Sequence, residues 1–227
     1  MMHLYHGSTD LIRIPEYGAG RRHNDYGPGF YCTESEELAK EWACSSLEDG
    51  IANHYILNDD NLSILNLNTE EYSILNWITL LIGNRIFKID TPIAGRARRY
   101  LQENFMVNVN AYDIIVGYRA DDKYYDFASA FLNNSITVEQ LTRAMKLGKL
   151  GEQVVLKSQN AFNNIEFVDC ALADKAIYLP KRISRNEEAD AEFRRICDEE
   201  PDGLFMVDIL RGKIKNDDER IPRNISE

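Results

Sequence analysis

Positive charge is scarce in this chain. Its 227 residues carry 26 Lys and Arg against 37 Asp and Glu, a formal net charge of −11. Such a balance repels nucleic acid at long range, so contact with DNA or RNA requires a local basic patch. Two stretches qualify by composition, Arg96-Ala97-Arg98-Arg99 and Lys181-Arg182 with Arg185. Solvated charge on helix faces and loops accounts for both. Cysteine is sparse as well. Cys32, Cys44, Cys170 and Cys197 form no CxxC pair and no regular framework, which argues against a zinc site. Long hydrophobic runs are missing too. The most apolar stretch, Ile74 to Ile82, is broken by Asn76 and Thr79 and is too short to span a bilayer. Met1-Met2-His3 lacks the basic and apolar regions of a secretory signal. The expectation is a cytoplasmic protein with reduced thiols, no metal and no membrane partner. The chain has no GxGxxG after a strand and no P-loop glycine-lysine signature, so the common dinucleotide and P-loop motifs are absent.

What is present is concentrated in the first third. Leu4-Tyr5-His6-Gly7-Ser8 ends a short apolar segment in a His-Gly-Ser turn. Further on, Asp25-Tyr26-Gly27-Pro28-Gly29-Phe30-Tyr31-Cys32-Thr33 delivers an aromatic pair out of a glycine-rich turn. Glycines beside aromatic and polar side chains let backbone approach a flat ligand closely, with a ring ready to stack on it. That pattern points to a nucleotide or nicotinamide pocket.

Periodicity and breakers divide the rest. Met2 to His6 and Gly29 to Thr33 read as strands, with a polar loop at residues 9 to 24 between them. Thr33 is an expected N-cap, with Glu36 completing a capping box, for a helix from Ser35 to Ser46. Strands are expected at Ala52–Leu57, Ser63–Leu67, Tyr112–Tyr118, Gln153–Ser158 and Asn164–Leu172. Helices are expected at Glu70–Ile82 (amphipathic), Arg96–Glu103, Tyr124–Asn133, Thr137–Leu147 and a charged segment at 185–200, followed by a polar, frayed tail from Gly212. Strands, interposed helices and strands again, with little βαβ alternation, favour α+β over a doubly wound sheet.

His6 at the end of the first strand, Tyr31 in the second and Glu152-Gln153 entering a late strand thus stand in a suggestive order. On these residues the chain resembles the ADP-ribosyltransferase superfamily, on its His-Tyr-Glu branch. More narrowly, it resembles a bacterial family of uncharacterised proteins, DUF3990. The segments that carry the likeness are LYHGS at 4–8, NDYGPGFYCT at 24–33, YDIIVGYRADD at 112–122 and LGEQVVLKSQNAF at 150–162, together spanning roughly residues 2 to 175. The resemblance implies a split β-sheet core with interposed helices over residues 1–180, and a charged helical extension and tail over 181–227. It implies NAD as substrate: His6 on a ribose hydroxyl, Gly7 offering backbone to the nicotinamide amide, Ser8 near the adenosine ribose, and Tyr31 stacked on the nicotinamide. Trp42 would be the second stacking ring, closing a sandwich over Tyr31. It further implies mono-ADP-ribosyl transfer to an unknown protein or nucleic-acid acceptor, a toxin or defence role, and a small antitoxin-like partner. The loop at 146–152 would help choose the acceptor.

One position departs from that pattern. The superfamily glutamate aligns with Gln153, which can hydrogen-bond a hydroxyl but cannot place negative charge beside a developing cation. Glu152 is adjacent, yet side chains alternate across a strand, so register favours Gln153 for the pocket. Asp121 and Asp122 are a second carboxylate source, as ligand-polarising groups or as caps of the following helix. Bland alternatives stand beside each of these: His6 as an ordinary structural histidine, Trp42 as core, and Asn24-Asp25 as turn residues. Cys32, His23 and His54 read as structural, the first buried and the other two on the surface. Three activities follow: transfer, NAD glycohydrolysis, or non-catalytic binding of NAD or ADP-ribose.

Overall fold

The computed structural model describes all residues except 88–90, 120–121, 148–150 and 225–227, together with the side chains of Asp122 and Lys123. It is α+β. Among the described residues, seven strands form two sheets and eight helices pack around them. The first sheet runs β1 (Met2–Ser8), β3 (Gly50–Leu57), β7 (Ile165–Ala173), antiparallel throughout. The second runs β2 (Phe30–Cys32), β6 (Glu152–Leu156), β5 (Ile114–Tyr118), β4 (Ile64–Asn66), with only the β4–β5 pair parallel. The strands expected near 52–57 and 63–67 therefore form, but they belong to different sheets and do not pair.

Alternation sorts the side chains into layers. Leu4, Tyr55 and Leu57 from the first sheet meet Phe30, Cys32, Ile114, Val116, Val154 and Leu156 from the second, giving a dry seam between the sheets. The far face of the second sheet, with Leu65, Ile115 and Val155, is covered by the helical core. Helix α1 (Glu36–Ala43) sits on the outer face of the first sheet, where small residues let it come close. A Cβ on Gly7 would lie 2.2 Å from the Ala39 carbonyl oxygen, and one on Gly50 would lie 2.3 Å from the Ala43 Cβ. The cap of α1 is Ser35, whose hydroxyl accepts from Leu38 N–H, and not Thr33. Thr33 is extended because its backbone is bonded to Tyr5, and its hydroxyl accepts from Ser35 N–H instead.

The helical layer also departs from the expectations for residues 70–82 and for the tail. Helix α2 spans Ile74–Asn84, and every residue from Ile74 to Ile82 is buried. It is a central helix with neighbours all round, so no polar face is needed. Helices α3 (Pro92–Asn104) and α5 (Val138–Ala144) pack on it and α4 (Asp122–Leu132) packs against both of them, then α7 (Lys175–Asp198) and α8 (Met206–Gly212) follow the short α6 (Gln159–Asn163). The boundary expected at 180/181 falls inside α7, and Ile196, Met206, Ile209, Ile214 and Ile221 join the same core as α2. The tail is docked as far as it is described. Asn224 donates to the Leu67 carbonyl at 2.7 Å, and its backbone N–H donates to Tyr72 at 3.0 Å. No helix among the described residues is long and apolar enough to cross a membrane.

A docked tail should carry stability. Truncating a buried isoleucine to alanine costs about 2–5 kcal/mol, so Ile221→Ala should lower the urea midpoint of the whole chain. An unchanged midpoint would mean that the tail does not belong to the cooperative core.

Candidate active site

The two sheets join at one point. Tyr5 and Thr33 exchange backbone hydrogen bonds of 2.7 and 3.0 Å, after which the strands diverge. A cavity of about 770 Å³ opens at this fork. His6 stands at its apex, its Nδ1 2.7 Å from the Tyr31 carbonyl oxygen and its ring 4.4 Å from that of Phe30. A carbonyl only accepts, so Nδ1 carries the proton and Nε2 is left as an acceptor. Burial lowers the histidine pKa, against the opposing pull of the Tyr31 carbonyl, so the imidazole is neutral at pH 7.

Tyr31 presents its ring to the cavity from β2. Its hydroxyl donates to the Gly27 carbonyl at 2.6 Å and accepts from Tyr26 N–H at 3.0 Å. Burial pushes its pKa well up, so it stays a phenol. The turn that holds it is clamped from several sides. Lys157 donates to the carbonyls of Tyr26 and Pro28, and burial draws its ammonium down to about 8. Asn84 donates to the Asp25 carbonyl at 3.1 Å, and Arg85 Nε lies 2.6 Å from the Asp25 carboxylate, which is 2% exposed.

Gln153 lies on the same face of the second sheet as Tyr31, one pleat beyond the Tyr31–Val155 pair. It lines the cavity, is 6% exposed, and its Oε1 has no hydrogen-bond partner among the described residues. Glu152 points to the opposite face, is exposed, and accepts from Asn68 Nδ2 outside the cavity. The alternation of the strand separates the two, so Glu152 is not brought to the site. Gly7 and Ser8 line the cavity, but each also has local work: Gly7 admits α1, and the Ser8 hydroxyl accepts from Asp10 N–H at 3.1 Å. Trp42 lines it from α1. In place of an open stacking face, the Trp42 ring carries the guanidinium of Arg119, 3.9 Å from its centroid. Asp121 and residues 148–150 of the 146–152 loop lie outside the described residues. Asp122 is the first residue of α4, two positions before the helix start expected at Tyr124.

Residues 9 to 24, expected as a polar loop, form much of the cavity wall. Asn53, fully buried on β3, ties this segment down: its amide donates to the His6 and Asp10 carbonyls and accepts from Ile12 N–H at 2.9 Å. Three arginines from separate segments, Arg21, Arg85 and Arg119, also reach the cavity. Arg119 stands in the 112–122 segment that carries the family likeness, whereas Arg21 and Arg85 belong to no motif, and nothing in the sequence singles out any of the three as a cavity residue. Cys32 is buried in the seam between the sheets, with its thiol pKa raised by burial. His54 is held by Asp169 at 3.0 Å and stacks on Tyr5, and His23 lies 3.2 Å from the Asn84 carbonyl. No group of three potential ligands among the described residues could hold a metal ion.

With the geometry described, comparison places the chain. Residues 2–167 match the family described as "Protein of unknown function (DUF3990)". The chain belongs to the DUF3990 family. No curated protein and no solved structure matches it significantly. The DUF3990 match covers β1 to β6 and the first residues of β7, and so contains every described residue of the cavity wall.

The neutral state of His6 sets a pH dependence. Its folded pKa is depressed, so its contribution to stability is complete above the ordinary value of 6.5 and is lost as pH falls through the lower folded value. Urea unfolding at pH 7, 6 and 5 should show falling stability, with a shallower fall in His6→Gln. Equal slopes in the two proteins would place the acid sensitivity elsewhere.

Proposed function

We propose that this DUF3990 protein is an NAD-dependent mono-ADP-ribosyltransferase of the His-Tyr-Glu type, with glutamine at the third position. The observation that carries the reading is the convergence of His6, Tyr31 and Gln153 on one cavity, from three strands far apart in sequence. Each brings a suitable group. His6 Nε2 accepts from a ribose hydroxyl, the Tyr31 ring offers a face to the nicotinamide, and the Gln153 amide is an unsatisfied group within reach of a hydroxyl. In the reaction the bond between the nicotinamide nitrogen and ribose C1′ breaks, and the electron pair leaves with nicotinamide. An acceptor nucleophile then bonds C1′ and gives up its proton. With water as acceptor the outcome is NAD glycohydrolysis.

The cation at C1′ calls for nearby negative polarisation. Gln153 supplies a dipole and no charge, and the buried carboxylate of the wall, Asp25, is paired with Arg85. That observation favours one further reading: a slow enzyme or a module that binds NAD or ADP-ribose without cleaving it. The acceptor is a protein or a nucleic acid docked locally, since the net charge of −11 opposes extended nucleic-acid binding. A toxin or defence role in the cytoplasm, neutralised by a small antitoxin-like partner, belongs to the same reading.

Release of nicotinamide from NAD by purified protein, with and without cell lysate, tests it. His6→Ala and Tyr31→Ala should each reduce release by at least about tenfold, the scale of losing one positioned contact at the transition state. Gln153→Ala should also reduce it, Gln153→Glu should raise it, and Glu152→Gln should leave it unchanged. NAD binding without release would select the binding module, and no binding would remove the reading altogether.

A further inference from the structure

The transfer reaction leaves one proton without a recipient. The acceptor must shed it on bonding C1′, and Gln153 is an amide, which accepts hydrogen bonds but is not a base. His6 Nε2 is committed to a ribose hydroxyl in the same reading, and burial opposes a charged imidazole there. Asp25 is buried, with its carboxylate held 2.6 Å from Arg85 Nε. Glu152 is turned away to Asn68. Among the described residues one further carboxylate lines the cavity, that of Glu16. Its side chain is exposed and makes no hydrogen bond or ion pair with a described residue.

The backbone that carries Glu16 is fixed on both sides. Its carbonyl accepts from Ala19 N–H at 3.3 Å, closing a turn whose third residue, Gly18, has the positive φ of +86° that such a turn requires. Tyr17 meets the Phe162 ring edge-on at 5.4 Å. Gly20 lies so close to the turn before β2 that a Cβ there would be 2.4 Å from the Gly29 carbonyl oxygen. Upstream, Asn53 holds Asp10 and Ile12. The main chain at residue 16 is thus placed while the side chain is free. Exposed and yet part of the wall, Glu16 stands where the cavity meets solvent, whereas Gln153, 6% exposed, lies deep.

We propose that Glu16 is the general base that takes the proton of the acceptor. The inference rests on the transferase reading of the cavity. NAD fills the inner part, and the acceptor enters by the mouth, past Glu16. As the bond between the nicotinamide nitrogen and C1′ breaks, its electron pair leaves with nicotinamide. A lone pair of the acceptor bonds C1′, the acceptor proton passes to the Glu16 carboxylate, and from there it is lost to solvent. An exposed base discharges that proton without a relay. The acceptor class follows: a nucleophile that arrives with its proton, a hydroxyl group or water, and not a carboxylate, which has none to lose.

Nicotinamide release and product mass, measured for wild type and Glu16→Gln with water and with azide as acceptors, test this. Azide is an anion with no proton to give up. Glu16→Gln should slow formation of ADP-ribose by at least about a hundredfold, the lower end of what a general base contributes, while ADP-ribosyl azide forms at the wild-type rate. Glu16→Asp should keep part of the hydrolysis, and it carries the comparison if Glu16→Gln fails to fold. Equal losses with both acceptors would make Glu16 a binding or structural residue and overturn the proposal, as would no loss with either. Calorimetric titration with NAD separates the underlying reading. Wild type that binds NAD but releases nicotinamide to neither acceptor, or that does not bind NAD, overturns the transferase reading itself, and this base with it.

Discussion

The site depends on one junction, where β1 and β2 touch through the Tyr5–Thr33 pair and then part. Two backbone hydrogen bonds hold the sheets together there, and the His6 imidazole adds a third bond, to the Tyr31 carbonyl. If the strands stayed paired beyond this point, the space between His6 and Tyr31 would be filled by ladder. If they did not pair at all, the two side chains would belong to separate sheets with no fixed relation. The fork therefore creates the cavity and sets the relative position of its two firmest members. The dry seam below it, with Leu4, Tyr55, Phe30 and Val154, keeps the sheets from sliding.

The polar groups around the fork are of two kinds. Those of the scaffold are satisfied: Asn53 uses both ends of its amide on the 9–24 segment, Tyr31 both donates and accepts, and Tyr118 has two donors on its carbonyl. Those that face the cavity from Gln153 and Trp42 are not satisfied among the described residues. Leaving buried polar groups unpaired is costly, and native proteins concentrate such costs where a ligand removes them. The surrounding core, centred on α2 with its buried run from Ile74 to Ile82, is large enough to sustain that expense.

Much of the element order was legible because the signals are local. The β-branched run ending at Gly117 and the short apolar segment leading to His6 need no distant partner to be recognised. Errors arose where a distant contact decided the outcome. Thr33 looks like a helix cap, but its pairing with Tyr5 makes it strand and passes the cap to Ser35. The polar composition after Gly212 suggests fraying, yet Ile214, Ile221 and Asn224 each find a buried place. The amphipathic reading of 70–82 failed because neighbours of α2 from several helices cannot be counted along the chain.

The sequence by itself determined the α+β character, the strands that carry His6 and Tyr31 (though β1 continues through Gly7 and Ser8 where a turn was expected), the preference for Gln153 over its neighbour by alternation, and membership of the DUF3990 family. These follow from period, from breakers and from a pattern of residue types along the chain. Only the tertiary structure decided that Glu152 is turned away to Asn68, that Gly7 is small chiefly for α1, and that Arg85 pairs with Asp25. It also decided that Arg119 covers the ring of Trp42. Such contacts join residues tens of positions apart through the packing of two sheets and a helix, and no local period encodes which isolated arginine will face which ring.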